Sequence, residues 1–303
     1  VPSLRAAVGE ALARLPEPLH ARVPAGVRAE VRYRTRRYLP GDLGYRVPVP
    51  SHRVGQVIGP PDLVQMGVTM AGSRWWIDQL IDHPGVSGVG AGDQAARYFA
   101  RYGTDGFGPD DIDRFHRLFP RRPGQVAAHW CPDGLAHHWV APLLAQAAPK
   151  ARLVVVLRDP IERLRAALAH LPEGTADHIG SALGDAVDRG RYGRQLRRLL
   201  SVYPTDQVHV VQFEACAEDP VAALSAAYRF AGLEDSHRPA ALAAAFPPHP
   251  QPGSPPLDPD TFGRLCDVFD DDVADLLALC PEVEVARWPN FADRHRDGHV
   301  GRQ

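Results

Sequence analysis

Four short apolar runs, DLVQMGV at 62–68, VAAHWC at 126–131, RLVVVL at 152–157 and VHVVQF at 208–213, punctuate this chain, and segments of helical periodicity lie between them. Valine-rich runs of this length, each followed by a helix, are the pattern of parallel strands buried on both faces. Right-handed crossovers bring the turn after every strand to one edge of the sheet, where ligands bind in such folds. The residues of interest should therefore lie just beyond these runs. Ahead of the first strand, residues 3–40 read as two short helices broken at Pro16, Pro18 and Pro24, followed by a Pro/Gly-rich connector. The expected organisation is an N-terminal helical extension and connector over 1–60, one α/β domain over 61–290 and a disordered tail over 291–303.

Residues 85–125 read as an insertion, in which Tyr98, Phe99, Tyr102, Phe107, Phe115 and Phe119 serve either as pocket lining or as core. The segment FPPHPQPGSPPLDPD at 246–260 reads as a lid or a mobile loop.

The stretch DLVQMGVTMAGSRWWIDQLIDHP, from Asp62 to Pro84, has the order strand, glycine turn, amphipathic helix. That order presents unpaired amides and the positive end of a helix dipole to an anion. Gly67 and Gly72 have the spacing of GxxxxGK(S/T), but Ser73 and Arg74 stand where that motif has Lys and Ser/Thr, which disfavours a nucleotide kinase or ATPase. A second anion-binding element follows the third run. In LRDPIERLRAAL, Arg158 leaves the strand, Asp159-Pro160 starts a helix, and Arg163 lies one turn on, so that two guanidiniums suit bidentate contact with a phosphate.

Charge narrows the partners. The 303 residues carry a formal net charge of -2, with arginines gathered locally at Arg28, Arg32, Arg34, Arg36 and Arg37, so no global basic field argues for nucleic acid. No apolar run reaches membrane-spanning length, and no signal sequence is seen. Cys131, Cys216, Cys266 and Cys280 lack metal-binding spacing and read as reduced core thiols; the expected compartment is the cytoplasm, with no metal.

Together these motifs resemble the PAPS-dependent sulfotransferases over about residues 61–290. PDLVQMGVTMAGSRWWIDQLIDHPGV is similar to the 5'-phosphosulfate loop, typically PDFxxxGxxKxGTTxLxxLLxxHP, and KARLVVVLRDPIERLRAAL to the 3'-phosphate element, typically RxPxxRxxSxY. GRYGRQLRRLLSVYPTDQVHVVQFEACAEDP resembles the family stretch GxYxxQLxxWLxxFPxxQxxVxxYExLxxDP. The resemblance implies a P-loop-like three-layer α/β fold, a central parallel sheet flanked by helices, and transfer of a sulfuryl group from PAPS to a hydroxyl or amine of a small-molecule acceptor, as in natural-product or glycan sulfation. Carried over by position, it assigns the donor to Met70, Ala71, Gly72, Ser73, Arg74, Trp75, Arg158 and Arg163. A homo-oligomer is compatible with this reading.

Two positions depart from the family. Its lysine falls on Met70, which carries no charge, and its 3'-element serine falls on Ala166. Loss of one cation that stabilises developing charge commonly costs about 10²–10³ in rate. Arg74, from the first helical turn, is the candidate replacement and so a candidate catalytic group. The departures also define an alternative function, a catalytically impaired relative that binds PAP, PAPS or another anion in a structural or regulatory role. For the general base, His129 at the end of VAAHWCP is similar to the strand-end histidine of the cytosolic branch, with Asp93 next in line; His137 and His138 are expected on a helix as surface or packing residues.

Overall fold

The computed structural model describes Val47 and residues 49–89, 92–103, 106–170, 179–240, 242 and 257–295. The arginine-rich segment of the N-terminal extension, most of the Pro-rich 246–260 segment and residues 296–303 lie outside the described residues.

Among the described residues, five parallel strands form the sheet: β1 (Leu63–Met66), β2 (Val86–Val89), β3 (Val126–Cys131), β4 (Arg152–Leu157) and β5 (Val208–Gln212), in the order β2-β3-β1-β4-β5. The expected α/β architecture is therefore present, with one strand more than the apolar runs indicate. β2, with sequence VSGV, lies within the stretch expected as an insertion, and its serine and glycine break the apolar run that marks the other four. The chain passes from β1 to β2, returns through β3, then crosses to β4 on the other side of β1. That reversal makes the carboxyl end of β1 the topological switch point, where open α/β sheets hold their ligands.

Helices α1 (Ser73–Ile81), α2 (Pro109–His116) and α3 (Val140–Ala147) precede β4, while α4 (Pro160–Ala169), α5 (Ile179–Gly190) and α6 (Tyr192–Leu200) lead to β5. After β5 come α7 (Phe213–Glu218), α8 (Pro220–Ala231) and the 21-residue α9 (Pro259–Leu279). The strand alternation decides which helix each residue meets. Ala128 and Trp130 of β3 pack with Ile77 of α1, and Tyr228 of α8 donates to the Gln79 carbonyl of α1 at 2.9 Å, so α1 and α8 share one face. The opposite face of β3 meets α2 and the 3-10 segment Gly92–Gly103.

Tyr98, Phe99, Tyr102, Phe115 and Phe119 are buried in the core, where they meet one another tilted or edge to face at ring separations of 4.7–5.7 Å. Such aromatic packing contributes the large apolar areas that stabilise the fold. All four cysteines are free and buried. Downstream of α9, Phe291 is buried and His295 lies 3.1 Å from Asp270, so packed chain continues past residue 290.

Candidate functional site

The β1–α1 loop sits at the switch point. Gly67 donates to the Cys131 carbonyl of β3 at 2.9 Å and Val68 to the Val156 carbonyl of β4 at 3.2 Å, so the loop opens between the two neighbouring strands. Gly67 has φ 59°, and a Cβ there would stand 3.0 Å from the Pro132 carbonyl; glycine is required on both counts. Gly72, at φ 79°, caps α1 without a side chain, leaving the first amides of the helix directed at the loop's mouth. Met70 adopts φ 69°, a left-handed conformation that costs a non-glycine residue about 1–2 kcal/mol.

Arg158 meets this loop. Its Nη1 donates to the Met70 carbonyl at 3.2 Å, and its guanidinium lies over the Phe213 ring at 4.6 Å, with only 2% of the residue exposed. Burial works to lower the Arg158 pKa, against the pull of Glu214 and Glu162. Asp159 caps α4 by accepting from the Ile161 and Glu162 amides at 2.9 and 3.2 Å, as the Asp-Pro pair predicts. Glu214, at the start of α7, accepts from the Asp159 amide at 2.9 Å and from Trp288 Nε1 at 3.0 Å. Burial pushes its carboxyl up to about 7, despite these donors.

A charged group stands on the other side of the loop. Asp133, two residues past β3, accepts from Thr69 Oγ1 at 3.3 Å and pairs with Arg189 of α5, whose Nε reaches Asp185 at 2.9 Å. Burial works to raise the Asp133 pKa, but Arg189 and His137 overcome it and hold the carboxyl below its usual range. His137 lies in the turn after β3, not on a helix as expected from the sequence, and its ring stacks on Trp139 at 4.6 Å. Burial lowers its pKa, partly opposed by Asp133.

The sequence-derived candidates separate. Met70, Ala71, Gly72 and Ser73 form the loop against which Arg158 is placed, and Ala71 and Ser73 are buried. Arg74 points along α1, paired with Asp78 at 3.1 Å and lying over Trp130 at 5.0 Å, with its side chain 55% exposed. Trp75 and Trp76 meet edge to face at 5.6 Å and both are buried, which places both in the core. Arg163 is wholly buried; its Nη2 donates to the Ala186 carbonyl of α5, so it faces the α4–α5 contact instead of joining Arg158 at the mouth.

His129 is not presented at the sheet edge. It pairs in register with Val64 within the strand, is wholly buried, and faces the rings of Phe115 and Phe119 at 5.3 and 5.4 Å. Neither ring nitrogen has a hydrogen-bond partner among the described residues, and burial drives its pKa down to about 3. This strand histidine is thus a neutral core residue, and the extra residue between it and Pro132 marks its withdrawal from the edge. The backbone of Asp93 lies in the 3-10 segment, and its side chain is outside the described residues.

Sequence reasoning passes over Asp133, Arg189 and Glu214. Asp133 and Glu214 follow strands at the ligand-binding edge, so the strand-end rule could single them out; Arg189 arrives from a distant helix and has no local signal.

The sulfotransferase family model matches residues 70–237, from Met70 of the loop through β5 and α8. The chain belongs to the sulfotransferase family. This family member is similar in fold to the crystal structure of a sulfotransferase from Alicyclobacillus acidocaldarius, at 21% identity and TM-score 0.59, covering 76% of this chain and 99% of that one. It also aligns with a sulfotransferase from Mycobacterium tuberculosis H37Rv at 15% identity and TM-score 0.42, over 69% of this chain and 72% of that one. Comparison with curated protein sequences gave no match. No helix among the described residues of this sulfotransferase-family chain is long and apolar enough to cross a membrane, and no group of His, Cys, Asp or Glu among them could hold a metal ion.

Proposed function

We propose that this protein transfers a sulfuryl group from PAPS to a hydroxyl or amine of a small-molecule acceptor. The observation that carries the proposal is the 3.2 Å bond from Arg158 to the Met70 carbonyl, which joins the two phosphate-binding elements of the family at the switch point of the sheet. The chemistry of the donor set fits a bisphosphorylated nucleotide: helix-end amides and the Ser73 hydroxyl on one side, the Arg158 guanidinium on the other. PAPS, when bound, supplies the sulfuryl group. Ala71, Gly72 and Ser73 would hold its 5' end and Arg158 its 3'-phosphate.

Arg74 would have to leave Asp78 to replace the family lysine. It would also have to leave the Trp130 ring; the exposed i,i+4 pair is worth about 0.3–0.5 kcal/mol and the cation–π contact about 0.5–1 kcal/mol. For the acceptor proton, His137 is a better-placed base than His129, because it lies beyond β3 beside Asp133, which is bonded to the loop through Thr69. The lowered pKa keeps its imidazole neutral, and so able to accept a proton, at pH 7. The four free, buried cysteines suit a reducing compartment, and a cytoplasmic setting is part of this reading.

The impaired-relative reading is favoured by one observation, Met70 itself, whose side chain brings no charge to the loop. Calorimetric titration with PAP, the desulfated product, against ATP tests the donor site. Micromolar PAP binding with no preference for ATP is expected, and turnover of PAPS with an acceptor panel then separates enzyme from binding protein.

A further inference from the structure

Arg163 is a wholly buried guanidinium without a bonded counter-charge. Its Nη2 donates to the Ala186 carbonyl of α5, while Nε and Nη1 have no hydrogen-bond partner and no carboxylate among the described residues pairs with it. Asp185, whose charge acts on it, is bonded to Arg189 instead. An uncompensated buried cation is strongly destabilising, so one kept with two open nitrogens calls for an anion. The Tyr192 hydroxyl of α6 is a second orphan donor. It too is wholly buried and unpartnered, and burial raises its pKa, so the phenol keeps a proton to donate.

The packing of α4 on α5 places both donors behind Arg158. Arg163 meets Ala186, and one turn earlier on α4 Pro160 faces Gly190, where an added Cβ would stand 3.6 Å from the Pro160 Cβ. Tyr192 follows two residues on, at the end of the pair where Arg158 and Asp159 lead into α4. Its ring meets Trp288 at 6.2 Å, and the Trp288 indole bonds Glu214, which accepts from the Asp159 amide. Arg163 and Arg158 are both near enough for their charges to oppose the effect of burial on the phenol. Ala166 completes the outline: it is wholly buried, lies three residues on from Arg163 on the same face of α4, and occupies the position of the family's 3'-element serine. A hydroxyl is thus missing from α4, and an unpartnered one is supplied from α6.

We propose that Arg163 and Tyr192 form the inner wall of a phosphate pocket behind Arg158, with the Tyr192 hydroxyl supplying the hydrogen bond that Ala166 cannot. The occupant is a phosphate group, either the 3'-phosphate of the bound nucleotide or free inorganic phosphate. The proposal rests on the reading of Arg158 as a ligand of the nucleotide's 3'-phosphate. Such an anion gives Arg163 its counter-charge and offers acceptors to both orphan side chains.

The test compares PAP with adenosine 5'-phosphate, which lacks the 3'-phosphate, by calorimetric titration of the full chain. Tyr192→Phe keeps the ring and removes only the hydroxyl. It should weaken PAP about tenfold or more, the worth of a hydrogen bond to a charged group, and leave adenosine 5'-phosphate unchanged. That selective loss makes the nucleotide's own 3'-phosphate the occupant. Where the two nucleotides keep their wild-type ratio, thermal unfolding of the nucleotide-free proteins with and without inorganic phosphate decides. Stabilisation of wild type that is reduced in Tyr192→Phe makes free phosphate the occupant, whereas equal stabilisation of both, or none, overturns the proposal and leaves the nucleotide site standing. If wild type binds neither nucleotide, the nucleotide reading falls and the phosphate comparison alone decides in the same way. Should Tyr192→Phe not fold, Arg163→Met carries the same comparisons with the same expected losses.

Discussion

Arg158 donates from Nη1 to the carbonyl of Met70 at 3.2 Å, so the first residue after β4 holds in place the residue that departs furthest from the family pattern. Because the contact is to backbone, it does not depend on the Met70 side chain. The loop can therefore keep its shape while the charge at its centre is changed, which makes Met70 open to substitution in a way that Arg158 is not.

Arg158→Ala removes both a phosphate ligand and a buried cation. PAP affinity should fall by about 1.5–3 kcal/mol, the worth of a charged hydrogen bond, as read by calorimetry. Stability should also fall, and by more at pH 8 than at pH 6, because Glu214 ionises near 7 and its negative charge favours the buried guanidinium. Urea unfolding at the two pH values checks this; an equal loss at both would show that Glu214 does not feel Arg158.

Met70→Lys restores a cation beside the expected 5'-phosphate. The left-handed backbone cost is common to both side chains, so stability should change by no more than about 0.5 kcal/mol. PAP should bind about 10- to 100-fold more tightly, from one added charged hydrogen bond. Weaker binding, measured the same way, would mean that the pocket has been rebuilt around the methionine.

Much of this architecture is legible in the sequence because its cause is local. The runs at 126–131 and 152–157 coincide with β3 and β4, since continuous burial writes a continuous apolar run. The Asp159-Pro160 helix start is likewise a short-range matter of capping. β2 is not legible, because VSGV at the edge of the sheet lacks that run. Arg163 and Arg74 show the limit at the site. Their spacing is correct, yet one side chain turns to the α5 backbone and the other to Asp78, choices made by tertiary neighbours and by an i,i+4 partner that motif spacing does not record. His129 reads in the sequence as a strand-end residue, and only the packing of Phe115 and Phe119 reveals it as core.

His129→Leu should change the acid limb of stability and leave PAP binding unaltered. The folded pKa is lowered from 6.5 to about 3, so between these values the unfolded chain binds the extra proton. The stability due to this group is full above pH 6.5 and is lost as pH falls through that window, amounting to about 3 kcal/mol by pH 4.5. Glu214 acts oppositely. Its folded pKa is raised from 4.5 to about 7, and its contribution is lost as pH rises between them. Wild type sums the two opposing slopes, so the comparison is between unfolding curves of the variants; a Leu variant with an undiminished acid loss would place His129 in contact with solvent.

Asp133→Ala tests the other side of the loop. Asp133 ties Thr69 of the β1–α1 loop to Arg189 of α5, and the Asp133 and Arg189 side chains are 28% and 20% exposed. This pair is neither fully buried, where removing one partner costs about 3–5 kcal/mol, nor at the surface, where it costs about 1 kcal/mol or less, so a loss of about 2 kcal/mol is expected. Asp185, the second carboxylate on Arg189, is 36% exposed and makes no bond to the loop, and Asp185→Ala should cost less than half as much. Asp133 is held below its usual pKa by Arg189 and His137 in spite of burial, so its contribution is full at neutral pH and lost as pH falls through the carboxylate range. The discriminating measurement is PAP affinity in the two variants at pH 7. Releasing Thr69 should weaken PAP several-fold in Asp133→Ala and leave it unchanged in Asp185→Ala, whereas equal affinity in both would show that the loop is held by Arg158 and the flanking strands alone.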